Sequence, residues 1–212
     1  MTQFSLTHRI KKSIQADAPA IFMLHGYGSD ENDLFSFAGE LPEKYTVISA
    51  KAPYAMPGMG NAWYSINFEA SQGKFSDAEE GKQSRDLILK FIEECIDAYQ
   101  LDEMKVSLLG FSQGGIISYA LAMSYPERFD QVIALSAYIE KDMFIANYQT
   151  KNQQHLRFFA THGTQDPVIP VKWAKQNKPF LDQFTEDVDY SEHPVGHGIN
   201  PEILQKLINW LE

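Results

Sequence analysis

The feature that most constrains this chain is a short apolar run that leads directly into a serine bracketed by glycines. Residues 106–111 read Val-Ser-Leu-Leu-Gly-Phe, Ser112 follows, and a helical pattern then runs to Tyr125. Gly110-x-Ser112-x-Gly114 is the pattern of a nucleophile elbow, a strained strand-to-helix turn that lifts a hydroxyl above a sheet. Glycines suit both positions because the strand and the helix pass too close together for side chains. The stretch predicts a buried strand, a reactive serine and a helix in series.

Further apolar runs alternate with helical patterns along the rest of the chain. The strands are expected at Ala20–Leu24, 45–50, 131–136, 156–161 and 188–192, with an edge hairpin within 4–14. The helices are expected at 81–99, 171–184 and 201–211, and a shorter one through Phe37 is capped by Ser29 or Asp30. Continuous apolar strands separated by helices are typical of a parallel sheet that is covered on both faces. We therefore expect residues 1–212 to form one α/β domain with a mostly parallel central sheet.

Three residues follow predicted strands in an order that suits nucleophilic catalysis. Ser112, Asp166 and His197 each stand after a different strand, and α/β-hydrolases keep this chain order of serine, acid and histidine. A neutral serine needs a base to take its proton, and the base needs a carboxylate to fix its tautomer. We predict Ser112 as the nucleophile, His197 as general base and then acid, and Asp166 as its orienting partner.

Other acids and histidines fit these roles less well. Asp182 and Asp187 lie in or beside helical patterns, and His25 precedes the serine in the chain. His193 is followed by a proline and is expected to end a strand. Since a proline and a glycine separate it from His197, the two do not share a helical face as zinc-binding histidine pairs do. The sequence predicts no metal site and no cofactor.

An oxyanion that forms on the substrate needs hydrogen-bond donors. In α/β-hydrolases they are the backbone N–H of the residue after the nucleophile and an N–H of the loop after an earlier strand. That loop is the glycine-rich turn after Leu24, which reads His-Gly-Tyr-Gly-Ser-Asp. We predict that the backbone N–H groups of Tyr27 and Gln113 form the oxyanion hole.

Charge and cysteine content exclude some classes of partner and fold. The net charge of −10 disfavours a nucleic-acid backbone or an anionic membrane surface as the main partner. Cys95 is the only cysteine, and its place in an apolar helical stripe predicts a buried thiol. The first residues lack the regions of a signal peptide, and no apolar run is long enough for a membrane helix. A cytoplasmic protein without an integral membrane segment is expected.

Four segments together resemble the carboxylesterase/phospholipase family of α/β-hydrolases, which includes acyl-protein thioesterases and bacterial lysophospholipases. They read Leu-His-Gly-Tyr-Gly-Ser-Asp at 24–30, Gly-Phe-Ser-Gln-Gly-Gly at 110–115, His-Gly-Thr-Gln-Asp-Pro-Val-Ile-Pro at 162–170 and Gly-His-Gly-Ile-Asn-Pro-Glu at 196–202. They keep the family's order and spread over nearly the whole chain. The resemblance implies an α/β-hydrolase fold, gives the triad places to Ser112, Asp166 and His197, and gives the oxyanion places to Tyr27 and Gln113.

The stretch from Pro53 to Asp77 combines prolines and glycines with many aromatic residues. Its Trp63-Tyr64 pair resembles the family's tryptophan-aromatic-aspartate segment beside the acyl pocket, with a serine at position 65 in place of the aspartate. We expect Met56, Met59, Trp63 and Tyr64 to form an adaptable acyl-binding wall. The competing interpretation is that these residues only cover the core.

Together these features predict a serine hydrolase that cleaves carboxylic esters or thioesters of short to medium acyl chains through an acyl-enzyme. A lysophospholipid or an S-acylated protein is the alternative substrate within the same family. An alternative of another class is a non-catalytic ligand-binding protein of the same fold, although a pure binder does not need the full Ser-His-Asp set. Residues 137–155 are few where many lipases carry a lid, so we expect no large lid domain and an open site.

Overall fold

Apolar residues on both faces of the strands drive them to the centre of the molecule. The computed structural model describes residues 4–66 and 76–212, so residues 67–75 of the predicted 53–77 stretch lie outside the described residues. The strands are β1 His8–Lys11, β2 Ala20–Leu24, β3 Thr46–Ala50, β4 Tyr54–Met56, β5 Gly60–Ala62, β6 Val106–Phe111, β7 Gln131–Leu135, β8 Arg157–Gly163 and β9 Val188–His193. The helices are α1 Ala78–Tyr99, α2 Gln113–Ser124, α3 Val171–Ala174, α4 Asn177–Leu181 and α5 Pro201–Leu211. Short 3₁₀ turns lie at Leu34–Phe37, Pro126–Arg128, Lys141–Met143 and Tyr148–Thr150.

Seven of these strands form one sheet in the order β1-β3-β2-β6-β7-β8-β9. The edge strand β1 runs antiparallel to β3, and every other neighbouring pair in the sheet is parallel. The small strands β4 and β5 form a separate antiparallel pair. The prediction of a mostly parallel central sheet is confirmed. Because parallel strands end at the same edge, the loops after β2, β6, β8 and β9 lie along one edge of the sheet.

Alternate residues of the strands pack into two hydrophobic cores, one on each face of the sheet. In β2, Phe22 belongs to a core with residues of α1, α2 and α4, whereas Ile21 and Met23 belong to a core with residues of α5. Cys95 is fully buried in the first core, as predicted, and burial raises the pKa of its thiol to about 12. Helices therefore cover both faces. In the part of the chain that the structure describes, no helix is long and apolar enough to cross a bilayer.

The prediction of one helix over 171–184 is wrong. The structure has two short helices there, α3 ending at Ala174 and α4 beginning at Asn177. Pro179 gives the reason, because a proline lacks the N–H for an i−4 hydrogen bond and its ring clashes with the carbonyl of residue i−4, here Lys175. The helix breaks at that point and restarts.

Two further predictions need correction at the start of the chain. In place of the expected helix through Phe37, the structure has an irregular turn and then a single 3₁₀ turn at Leu34–Phe37. Asp30 lies in the first of these turns, where its side chain accepts a hydrogen bond from the N–H of Asn32 at 2.8 Å. The expected edge hairpin within 4–14 is one strand, β1, which pairs with β3 instead of with its own neighbour. Both segments are short, so tertiary contacts decide their conformation.

Candidate active site

The turn between β6 and α2 has the geometry of a strained elbow. Ser112 adopts φ 52° and ψ −116°, a conformation that side-chain-bearing residues rarely adopt. Its N–H donates to Leu135 O at 2.8 Å, and its carbonyl accepts the first helical hydrogen bond of α2 from the N–H of Ile116 at 3.0 Å. A Cβ at Gly110 would lie 2.3 Å from Gly114 O, and one at Gly114 would lie 1.9 Å from Leu24 O. The two glycines of the pattern are therefore required by close backbone approach.

Ser112, His197 and Asp166 lie in one hydrogen-bonded line. Ser112 Oγ is 2.9 Å from His197 Nε2, and His197 Nδ1 is 2.7 Å from Asp166 Oδ2. With Nδ1–H donating to the carboxylate, Nε2 is free to accept the serine proton. The His197 side chain is 16% exposed and the Asp166 side chain is fully buried, so the imidazole reaches solvent while its carboxylate partner does not.

The loop after β8 holds the Asp166 carboxylate rigidly. Its second oxygen, Oδ1, accepts hydrogen bonds from the backbone N–H groups of Val168 at 2.8 Å and Ile169 at 2.9 Å. The buried His162 lies beside it: its Nε2 donates to Ile169 O at 2.8 Å and is 3.4 Å from Asp166 Oδ2. Among the described residues, no polar partner lies within hydrogen-bond distance of His162 Nδ1. Sequence reasoning missed His162 as a part of the site, because one histidine at the end of an apolar strand gives no signal of its neighbours.

The loop after β2 carries the first predicted oxyanion residue. His25 is buried there, and its ring spans two backbone groups: Nδ1 donates to Gly26 O at 2.7 Å, and Nε2 accepts from the N–H of Ala52 at 3.1 Å. Burial lowers the pKa of His25, against the opposing effects of the Gly26 hydrogen bond and of nearby acids. A neutral histidine with both nitrogens bonded to backbone cannot serve as the base, which agrees with its rejection on chain order.

Both predicted oxyanion residues, Tyr27 and Gln113, line one cavity with Ser112 and His197. Gln113 is the first residue of α2, and N–H groups in the first turn of a helix have no intrahelical acceptor. The cavity has a volume of about 340 Å³ and a mostly apolar wall, made by Tyr64, Ile66, Phe111, Ile116, Tyr138, Val168, Ile169 and Trp173. Burial raises the pKa of Tyr64 and of Tyr138. An apolar chain fits such a wall, and a reacting carbonyl would lie at its polar end.

Of the four residues predicted to form the acyl-binding wall, only Tyr64 lines this cavity. Met59 is 58% exposed and its backbone oxygen faces Gly28, while Met56 is half-buried in β4. Trp63 is fully buried, and its indole Nε1 donates to His25 O at 2.9 Å. Met56, Met59 and Trp63 therefore do not line the cavity beside Ser112, and their role in binding an acyl chain stays a prediction. The wall of this cavity is built from residues of several loops and of α2, which only the tertiary structure brings together.

A model of one protein family, described as phospholipase/carboxylesterase, matches residues 6–212. Acyl-protein thioesterase 1 of Kluyveromyces lactis is 27% identical over 96% of this chain and 95% of its own length. A crystal structure of a carboxylesterase from Mesorhizobium loti superposes with a TM-score of 0.84 at 18% identity, covering 100% of this chain and 96% of that one. The Bacillus cereus carboxylesterase superposes with a TM-score of 0.82 at 21% identity, over 97% of this chain and 93% of that one. The α/β-hydrolase fold expected from the sequence is confirmed.

Proposed function

The chain belongs to the phospholipase/carboxylesterase family, and from that premise we propose that it is a serine hydrolase of carboxylic esters or thioesters of short to medium acyl chains. The observation that carries this proposal is the chain of hydrogen bonds from Ser112 through His197 to Asp166. Ser112 and His197 also line a mostly apolar cavity. The proposal treats residues 1–212 as one hydrolase domain. The single seven-stranded sheet and the family match over residues 6–212 support that view.

The geometry supports a two-step acyl transfer. Ser112 Oγ attacks the acyl carbon while His197 Nε2 takes the hydroxyl proton, and the N–H groups of Tyr27 and Gln113 stabilise the resulting oxyanion. The tetrahedral intermediate collapses to an acyl-serine as His197 returns the proton to the departing alcohol or thiol. Water then attacks the acyl-serine in the same way and releases the carboxylic acid. Asp166 keeps His197 in the tautomer that both steps require.

The substrate class is narrowed by the wall of the cavity and by the relatives. The wall is mostly apolar, which suits an acyl chain, and a second, more open cavity of about 810 Å³ shares Ser76, Tyr138 and Trp173 with it and has room for a leaving group. The similarity to acyl-protein thioesterase 1 favours a thioester or an S-acylated protein as the alternative to a small ester. A lysophospholipid remains the third candidate of the same family.

The test is kcat/KM on p-nitrophenyl esters and on acyl thioesters of increasing chain length, with Ser112→Ala as the matched variant. Ser112→Ala is expected to lower kcat by about 10⁴-fold or more because it removes the nucleophile. Retained activity in the variant would exclude Ser112 as the nucleophile. A folded wild type that binds acyl ligands but turns over neither substrate series would instead support the non-catalytic ligand-binding protein.

A further inference from the structure

Residues 61–65, which we refer to as the brace, contact both the Tyr27 loop and Gln113. Asn61 and Ala62 end β5, and from Trp63 onward the backbone is held by side chains from other parts of the fold. Gln113 Oε1 accepts from the N–H of Trp63 at 2.7 Å, and Gln113 Nε2 donates to Tyr64 O at 2.7 Å. From α1, Ser84 Oγ donates to Trp63 O, and Glu80 Oε2 accepts from the N–H of Ser65 at 2.6 Å. Four backbone groups of the brace are thus fixed by three side chains.

The other side of the brace holds the loop that carries Tyr27. The carbonyl of Asn61 accepts from the N–H of Gly28 at 2.9 Å, and the N–H of Asn61 donates to Ser29 O at 2.8 Å. The indole N–H of Trp63 donates to His25 O at 2.9 Å. The backbone of the loop is therefore bonded to the brace on both sides of Tyr27, at His25, two residues before it, and at Gly28, directly after it.

Gln113 has a second relation to the site besides its backbone. Its N–H is one predicted oxyanion donor, while its side-chain amide supplies one donor and one acceptor to consecutive residues of the brace. The side chain is 2% exposed, so water does not compete for these hydrogen bonds. The elbow and the Tyr27 loop are consequently connected through one side chain.

We propose that Gln113 is a positioning residue. Its side-chain amide holds the brace, and the brace holds the Tyr27 loop, so the amide fixes the distance between the two oxyanion N–H groups. The inference rests on the proposed function. Oxyanion donors stabilise the transition state only if they already point at the position of the developing charge, and a misplacement of about 1 Å can cost about a hundredfold in rate. The amide acts on the rate by holding this geometry and does not touch the substrate itself.

The test compares Gln113→Glu with Gln113→Met. Glutamate keeps the shape and one acceptor but places a carboxylate oxygen against Tyr64 O, whereas methionine removes both hydrogen bonds. We expect kcat to fall about tenfold to a hundredfold in each variant, with KM changed by less than about threefold, because the oxyanion exists only after attack. An alkylboronic acid forms a tetrahedral adduct on the serine. Its inhibition constant should rise by about the same factor by which kcat/KM falls.

The matched control is Gln131→Glu, the same change at a buried glutamine. Gln131 is 7% exposed and is the first residue of β7. It therefore lies at the amino ends of the parallel strands, whereas the site lies at their carboxyl ends. We expect it to lower the thermal midpoint but to keep kcat within about twofold. Ser84→Ala breaks the brace from α1 without changing the elbow, and it is expected to lower kcat about threefold to tenfold.

The outcomes separate the two proposals. Wild-type hydrolysis that Ser112→Ala abolishes establishes the hydrolase, whatever the Gln113 variants do, and a wild type without activity removes both proposals. With an active wild type, folded Gln113→Glu or Gln113→Met at wild-type kcat would overturn the positioning role. An effect on KM alone, or an equal loss of kcat in Gln131→Glu, would also overturn it. If both Gln113 variants fail to fold, the Ser84→Ala result decides, and unchanged kcat in it overturns the proposal.

Discussion

The two sides of Ser112 are held in different ways. On the acid–base side, His197 lies in the loop between β9 and α5 and forms a hydrogen bond with a single carboxylate. Its imidazole also contacts the Phe111 ring, and the two ring centroids are 5.0 Å apart. On the side of the proposed oxyanion hole, which we call the oxyanion side, backbone groups in and around the brace form hydrogen bonds with five side chains, those of Gln113, Ser84, Glu80, Trp63 and His25. On the acid–base side one hydrogen bond, to Asp166, orients the imidazole, whereas several side chains hold the backbone on the other side.

This difference matches the two tasks that we propose for the two sides. A base that accepts a proton and then donates it must exist in two charge states, so its surroundings need one well-placed carboxylate and access to solvent. Donors that stabilise an oxyanion gain most when they do not reorganise during the reaction, which requires a rigid frame. We therefore expect an all-or-none response to substitution on the acid–base side and a graded response on the oxyanion side.

The largest effect is expected from Asp166→Asn. The substitution keeps the shape, but the amide oxygen stays with the N–H groups of Val168 and Ile169, so the NH2 group faces His197 Nδ1. Nδ1 must then accept, the ring proton moves to Nε2, and Nε2 no longer accepts the serine proton. We expect kcat to fall about 10³- to 10⁴-fold while the fold is retained. Steady-state kinetics and a thermal melt measure both quantities. A loss of less than about tenfold would mean that the acid–base side is also held by several contacts, and the contrast would fail.

A smaller effect is expected from His25→Phe on the oxyanion side. The change leaves Gly26 O and the Ala52 N–H without the imidazole, and buried unpaired groups cost about 1–3 kcal/mol of unfolding free energy. Because the brace still holds the Tyr27 loop, kcat should fall only about tenfold. Urea unfolding and kcat measure the two effects. A loss as large as that of Asp166→Asn would contradict the distributed hold.

The same histidine predicts a pH dependence of stability. Burial lowers the pKa of His25 in the folded protein below its ordinary value of 6.5, so the unfolded chain binds a proton there first as pH falls. The contribution of this group is complete above pH 6.5 and is lost below it, at up to about 1.4 kcal/mol per pH unit. The unfolding free energy of the wild type, measured from pH 8 to 5, should fall more steeply than that of His25→Phe. Parallel curves would contradict the assignment.

The smallest effect is expected from Met59→Ala. The side chain is exposed and lies outside the cavity wall, so kcat/KM should stay within about twofold for every acyl length. Ile116→Ala is the matched change inside the wall, and it should alter the preference for chain length. A clear loss of activity on long acyl chains in Met59→Ala would instead support the prediction that Met59 belongs to the acyl-binding wall.

Local patterns predicted the parts of the fold that depend on local chemistry. The strand Ala20–Leu24 and the helix Pro201–Leu211 have the predicted bounds, since a fully apolar run and a capped amphipathic segment each allow one solution. The helix α1 begins three residues before the predicted start because the Asp77 side chain caps it through the N–H groups of Glu79 and Glu80. The broken helix around Pro179 shows that a single residue can overrule an amphipathic pattern.

The candidate site divides in the same way. Ser112, Asp166 and His197 could be selected because each stands in a glycine-rich turn after a strand, and the structure brings the three within hydrogen-bond distance, while their catalytic roles remain predictions. The interior position of Trp63 and the bidentate amide of Gln113 gave no signal. Their partners are distant in sequence, and any buried polar or aromatic residue looks alike in a pattern.

By itself the sequence determined the strand order along the chain, the elbow and the residues that can meet at the carboxyl ends of the strands, because hydrophobic periodicity and glycine requirements act locally. Only the tertiary structure decided which side chains line the cavity beside Ser112 and which hold the Tyr27 loop. Those choices depend on contacts between residues far apart in sequence, such as the hydrogen bond between Gln113 and Trp63, which lie 50 positions apart. Such bonds form only after the sheet has fixed the distance between the two segments.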